Sequence, residues 1–297
     1  MKVNRRKLNV RSKPPLPFQG NKSIWKPFFQ QVISEIPNGN DRTFVDLFGG
    51  SFYLSYLIHK QFPGARIICN DYDNYKERLE HIPETNELLR LIKEVVTAKK
   101  QKLISKENKQ QINDIIINYE GYKDVITLSS NLIFSSLMFT ELEPFLNHEF
   151  YNVLNKSDYD TNYSDYIEGI EFVCCDWKEL YNEFKNNDYI IYIADPPYLY
   201  TDKSGYSSPY WNLKNALEVL EILKEKNFIV YASEKPGIIT IINYLKSQGV
   251  DYQDFKSVQY DRGCCTRMNK GKPNGECILY HFEKIDLDED DVYLAEE

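Results

Sequence analysis

The chain has no Cys-x-x-Cys, no His-x-x-His and no His-Glu-x-x-His. Its four histidines, His59, His81, His148 and His281, are scattered, which leaves little basis for a zinc site. No run approaches the roughly 20 apolar residues of a membrane span. The basic start MKVNRRKLNVRSKPPLPFQGNK has no apolar core behind it, so it does not read as a secretory signal. The six cysteines sit in or beside apolar runs of a 297-residue chain, so they read as reduced thiols and the expected location is cytoplasmic. Arginine is missing between Arg90 and Arg262. That stretch therefore cannot make the bidentate Arg–guanine contact that dominates sequence-specific DNA reading.

What is present suits a large soluble domain. Hydrophobic residues make up 42%, enough for a buried core, and the formal charge is −8. The charge is uneven. Residues 1–34 hold eight basic side chains and no acid, whereas residues 286–297 hold seven acids and no base. A basic arm can bind phosphates by counterion release even on an acidic protein, although a charge run is ordinarily just solvated.

Short apolar, β-branched runs alternate with helical patterns. Strands are expected at Thr43–Phe48, Ala65–Asn70, Glu171–Cys175, Tyr189–Ala194, Asn227–Ala232, Phe255–Gln259 and Cys277–Phe282. Helices are expected at 23–36, 52–61, 74–80, 213–226 and 236–248. This alternation predicts an α/β fold built on a doubly wound, mostly parallel sheet. Residues 84–168 break the rhythm with further helical stretches at 86–100, 108–119 and 127–139, and read as an inserted helical subdomain. The expected organisation is a sheet domain from 1–83 plus 169–285, the insertion 84–168, and an acidic tail 286–297.

Four segments at strand ends carry the chemistry, since ligands of open α/β sheets bind there. In Phe-Val-Asp-Leu-Phe-Gly-Gly-Ser (44–51), Gly49 and Gly50 allow a sharp turn and close approach of a ligand. Asp71 ends the second strand and either accepts ribose hydroxyls or caps the next helix. Asp176 and Trp177 either accept from an amine and flank a flat ring, or cap and pack a helix. The strongest segment is Ala-Asp-Pro-Pro-Tyr (194–198), after the most apolar strand. Two consecutive prolines stiffen the turn and remove two N–H donors. Asp195 and the Pro196 carbonyl then form an acceptor-only wall beside the Tyr198 ring, a match for a planar group bearing an NH₂.

On these residues the chain resembles the Dam-type DNA adenine-N6 methyltransferases, which use S-adenosylmethionine. The resemblance spans most of residues 16–283 in motif order. It rests on Pro-Phe-Gln-Gly-Asn-Lys (17–22), Phe-Val-Asp-Leu-Phe-Gly-Gly (44–50), Asp71, Asp195-Pro196-Pro197-Tyr198 and the segment 270–280. It implies a Rossmann-like methyltransferase sheet, with catalytic Asp195, Pro196 and Tyr198. The implied cofactor contacts are Phe18, Lys22, Asp46, Phe48, Gly49, Gly50, Asp71, Asp176 and Trp177. It further implies double-stranded DNA as partner, base flipping, a DNA-recognising role for 84–168, a monomer, and no metal or membrane. A restriction endonuclease partner is not identifiable from sequence. The second glycine of the family's F-x-G-x-G or F-x-G-G pattern falls here on Phe52 or Ser51. Candidate phosphate contacts are the basic arm, Lys93, Lys99, Lys100, Lys102 and Lys106, with Lys270 and Lys272 behind them; Arg262 and Arg267 are the nearest arginines for base reading. The rival readings are an RNA or protein-amide methyltransferase, an inactive DNA-binding relative and, last, a nicotinamide-dependent oxidoreductase, which lacks G-x-G-x-x-G.

Overall fold

A computed structural model describes residues 10–134, 137–198, 211–233, 238–260 and 276–283. Its strands are β1 (Thr43–Asp46), β2 (Arg66–Asn70), β3 (Glu171–Val173), β4 (Ile190–Ala194), β5 (Asn227–Ser233), β6 (Lys256–Tyr260) and β7 (Glu276–Phe282). They form one sheet in the order β3-β2-β1-β4-β5-β7-β6. β7 pairs antiparallel with both neighbours, and the remaining pairs are parallel. All seven expected strands are present, with ends shifted by at most two residues.

The helices are α1 (Lys26–Ile33), α2 (Tyr53–Gln61), α3 (Tyr75–Glu80), α4 (Ile82–Val95), α5 (Lys106–Asn118), α6 (Val125–Leu132), α7 (Leu142–Asn147), α8 (Ser164–Ile167), α9 (Trp177–Phe184), α10 (Leu213–Val219) and α11 (Ile238–Ser247). The expected helices at 23–36 and 213–226 each split into an α-helix and a 3₁₀ turn. The stretch expected at 86–100 starts earlier, at Ile82 with Pro83 in its first turn, so position 84 lies inside α4. The stretch at 127–139 stops at Leu132. The short helices α7, α8 and α9 were not anticipated.

Period-two alternation places successive strand residues in two cores. Ile191 and Ile193 of β4 pack with Phe29, Tyr56 and Phe44 on one face, while Ile190, Tyr192 and Ala194 pack with Val45, Leu180 and Leu223 on the other. Every residue of β4 is buried, which is why its sequence reads as an uninterrupted apolar run. Between β2 and β3, helices α4 to α7 enclose a third apolar cluster around Leu88, Ile92, Ile112, Leu128 and Phe145.

The turn after β1 shows how the chain handles its missing glycine. Phe52, not Ser51, adopts the left-handed conformation (φ 61°) at the start of α2, so it occupies the place of the second glycine in F-x-G-x-G. A left-handed non-glycine residue costs about 1–2 kcal/mol. Here the fully buried ring offsets that cost by packing at 4.6 Å from Phe172 and 5.1 Å from Tyr75, centroid to centroid. Beneath the turn, Asp46 ends β1 with no exposed surface. It accepts from the Ser55 hydroxyl at 2.7 Å, and burial pushes its carboxyl up to about 7.

Two expectations follow. Phe52→Ala should lower stability by about 3 kcal/mol, and Phe52→Gly by about 1 kcal/mol less than Phe52→Ala because glycine tolerates the positive φ. Urea unfolding of both variants checks the order. Second, Asp46 binds its proton in the folded state up to about 7, against an ordinary value of 3.8. Between those values the folded state holds more protons than the unfolded state, so this group's stabilisation falls as pH rises through that window. Asp46→Asn should flatten the wild-type decline in unfolding free energy between about pH 4 and about pH 7.

Candidate active site

The strand order reverses between β1 and β4, and a crevice of about 1030 Å³, mouth included, opens outside their C-terminal ends. The turns after β1, β2, β3 and β4 all contribute to it, joined by the strap 18–22 and by Trp211 and Asn215.

The β1 turn forms one wall. A side chain at Gly49 would place its Cβ 2.4 Å from Cys69 Sγ and 2.8 Å from the Asn70 carbonyl oxygen. Gly50 has φ +51°, and a Cβ there would lie 3.0 Å from the Phe18 ring. Phe18, Phe48, Gly49 and Gly50 all line the crevice, as the motif implies. Phe48 sits between two indoles, 5.5 Å from Trp177 and 5.6 Å from Trp211 by centroid, so this side is aromatic and flat. Asp46 does not line the crevice. It lies one layer below, where its carboxylate holds the turn through Ser55 and the Phe48 N–H.

The β2 turn separates the two roles open to Asp71. Its oxygens accept the Tyr75 N–H at 2.6 Å and the Lys76 N–H at 3.0 Å, which caps α3. Burial raises its carboxyl to about 6 against the pull of those two bonds. Asp71 does not line the crevice; Tyr72 and Asp73 do. Asn70 fixes the loop from below by donating to the carbonyls of Leu47 and Cys175 and accepting the Cys175 N–H. After β3, Asp176 and Trp177 reach the wall, and Asp176 also caps α9 through the Lys178 N–H.

The β4 turn brings Asp195 and Pro197 to the wall, with Pro196 between them and Tyr198 after them. Asp195 Oδ2 lies 2.7 Å from Lys22 Nζ, and Oδ1 accepts from the Tyr198 hydroxyl at 3.3 Å. Burial pushes the Asp195 carboxyl above its ordinary range, and the Lys22 charge opposes that shift. Lys22 is only 6% exposed. It donates to the Gly20 carbonyl and stands 5.4 Å from the ring centres of both Tyr198 and Tyr231. Lys22 thus lines the crevice with its ammonium paired to Asp195. Behind it, Trp25 Nε1 donates to Glu276 at 2.6 Å.

The sequence did not single out Tyr72, Asp73, Trp211, Asn215, Tyr231 or Glu276. Asp73 was legible as a second acid in Asp-Tyr-Asp; the others come together only through the tertiary fold. The basic arm is largely internal where it is described. Arg11 binds Asp160, Asp165 and the Asn162 carbonyl oxygen, and Lys26 donates to the carbonyls of Val10 and Arg11. On the insertion, Lys93 pairs with Asp158 and Lys100 with the Leu154 carbonyl, while Lys99, Lys102 and Lys106 are exposed. Lys270, Lys272, Arg262, Arg267, most of the segment 270–280 and the tail 286–297 lie outside the described residues.

Three acids (Asp73, Asp176 and Asp195), a flat aromatic side and a side-chain-free glycine turn line one crevice. That donor set fits S-adenosylmethionine: carboxylates for ribose hydroxyls and cationic groups, aromatic faces for the adenine. Among the described residues, no group of three or more His, Cys, Asp or Glu side chains is placed to hold a metal ion. No described helix is long and apolar enough to cross a membrane.

No protein-family model matches the chain. A Haemophilus influenzae protein named "Putative methyltransferase" is 32% identical over 253 residues, covering 82% of this chain and 85% of that protein. Among solved structures, precorrin-6y C5,15-methyltransferase from Geobacter metallireducens aligns with a TM-score of 0.39 and 9% identity, over 93% of this chain and all of that one. A human methyltransferase 10 domain containing protein aligns with a TM-score of 0.35 and 10% identity, over 90% of this chain and 85% of that one. Structural likenesses of that depth carry no argument. The sequence relationship does: this chain belongs to the methyltransferase family of its Haemophilus influenzae relative, with a Rossmann-like sheet and S-adenosylmethionine as its methyl donor.

Proposed function

We propose that this protein methylates the exocyclic N6 amine of adenine in double-stranded DNA, acting on a base flipped out of the helix. The observation that carries the reading is the acceptor wall at the end of β4. There Asp195 faces the crevice, and two prolines offer no N–H beside it. An amine in conjugation with a purine ring is a poor nucleophile. Accepting both of its hydrogens, on Asp195 and on the Pro196 carbonyl, favours a pyramidal nitrogen with a free lone pair.

Bound S-adenosylmethionine supplies a methyl group already activated by its sulfonium. The residues that would hold it are the Gly49–Gly50 turn, Phe18, Phe48, Asp73, Asp176 and Trp177. Asp71 shapes the loop that presents Asp73. Lys22 fixes the Asp195 carboxyl group and opposes the upward shift that burial imposes on it. The Tyr198 hydroxyl, 3.3 Å from Asp195 Oδ1, marks where a substrate N–H can reach the carboxylate. The Tyr198 ring offers a stacking face, and Asp195 is the base within reach of the proton that the nitrogen must shed. Catalysis on this account is positioning and electrostatic complementarity.

A base within a duplex cannot reach such a crevice without leaving the stack. Exposed Lys99, Lys102 and Lys106 on the insertion are the candidates for phosphate contact. With no arginine from 91 to 261, recognition by the insertion rests on Lys, Asn, Gln and Tyr, and a relaxed or unusual site is expected.

The test is methyl transfer to mixed-sequence duplex DNA, digested to nucleosides and read by mass spectrometry. N6-methyladenine is expected from the wild type. Asp195→Ala should be slower by at least about a hundredfold while keeping its fold and its affinity for S-adenosylmethionine. Methylation of RNA or protein with DNA untouched would overturn the substrate assignment. A wild-type rate for Asp195→Ala would overturn the mechanism.

A further inference from the structure

Arg78 on α3 and Asp124 at the start of α6 form an ion pair at 3.0 Å, with side chains 4% and 1% exposed. Neither lines the crevice, and the chemistry above uses neither. Arg78 Nη2 also donates to the Pro17 carbonyl at 2.8 Å and to the Thr127 hydroxyl at 3.3 Å. Asp124 accepts the Thr127 N–H and hydroxyl, capping α6. One guanidinium therefore ties together α3, the insertion helix α6 and the strap that leads through Phe18 to Lys22.

The same helix grips the strap a second time. The Tyr75 hydroxyl bonds both the N–H and the carbonyl of Leu16 at 3.0 Å, and the Arg78 guanidinium lies 5.1 Å from the Tyr75 ring centre. Stability alone explains this arrangement poorly. Buried ion pairs are often no better than apolar side chains of the same volume, and Arg78 Nη1 is buried without a hydrogen-bond partner. What the planar fork provides, and an apolar pair would not, is a fixed relation between three chain segments.

We propose that Arg78, with Asp124, is a positioning residue that couples the insertion to the catalytic carboxylate. The path is Asp124 to Arg78, to the Pro17 carbonyl, then along the strap to Lys22 and across its 2.7 Å contact to Asp195. The proposal rests on the DNA reading insofar as the insertion is what engages the methyl acceptor.

The test uses Arg78→Met combined with Asp124→Ser, which removes both charges while serine still caps α6. The expected protein unfolds within about 5 °C of wild type and binds S-adenosylmethionine within about threefold of wild type. It should lose about tenfold in kcat/KM for duplex DNA and exchange the amides of residues 16–22 faster. Should the pair of substitutions prevent folding, Arg78→Lys keeps the charge without the fork, and the same readings apply. An unchanged kcat/KM in a folded variant overturns the proposal. So does a parallel loss of stability, cofactor affinity and activity, which marks a purely structural role. If wild-type protein leaves DNA unmethylated yet the amides of residues 16–22 respond to the variant, the coupling stands and the DNA assignment falls.

Discussion

The contact on which the site depends is the one between Lys22 and Asp195. The two residues are 173 positions apart, yet they meet at 2.7 Å over the reversal point of the sheet. A carboxylate placed there without its lysine would be a buried, uncompensated charge, and removing one partner of such a pair typically costs about 3–5 kcal/mol. The N-terminal strap, which lines the crevice, therefore supplies the charge that opposes the burial-driven rise of the Asp195 carboxyl. Much of the surrounding architecture serves that placement. Trp25 anchors the strap's far end to Glu276 of β7, Tyr75 holds Leu16, and Arg11 ties the chain just upstream to Asp160 before α8 and to Asp165 within it.

Acidic side chains of the crevice divide by depth. Asp46 and Asp71 lie behind the wall and spend their oxygens on backbone N–H groups and on Ser55. Asp73 and Asp176 reach the wall itself. The inner pair shapes the loops, and the outer pair faces the crevice. The rise in the inner carboxyls follows from burial, which at Asp71 outweighs two backbone bonds and the charge of Lys76. Asp195 reaches the wall as well, and there the Lys22 charge opposes the rise that burial imposes.

Much of the fold was legible in the sequence because its strands are either buried on both faces, like Ile-Ile-Tyr-Ile-Ala in β4, or bounded by Gly, Pro and Asn. Gly49, Gly50, Trp177 and Asp195 were legible for a related reason: they follow strand ends, where doubly wound sheets bind ligands. Asp71 was not resolvable from sequence. An acid two residues before Asp73 can cap or bind, and only the positions of the Tyr75 and Lys76 amides decide between them. The partner of Lys22 was hidden too, because a 173-residue separation leaves no local pattern. The short helices α7, α8 and α9 escaped because four to eight residues give too few turns for a 3.6-residue period to declare itself.

The antiparallel β7 has a temporal meaning. It is the last of the seven described strands in chain order, yet it sits inside the sheet, between β5 and β6, and its first residue, Glu276, lies opposite Ser233. During synthesis on the ribosome, β1 to β4 can pair as they emerge, but β5 and β6 have no common neighbour until β7 slides between them. The anchor for Trp25, at the opposite end of the chain, is made at that same late moment. Non-local closure of this kind is slow and leaves strand edges open meanwhile. The sheet is therefore closed at this edge only once residues 276–282 have been translated.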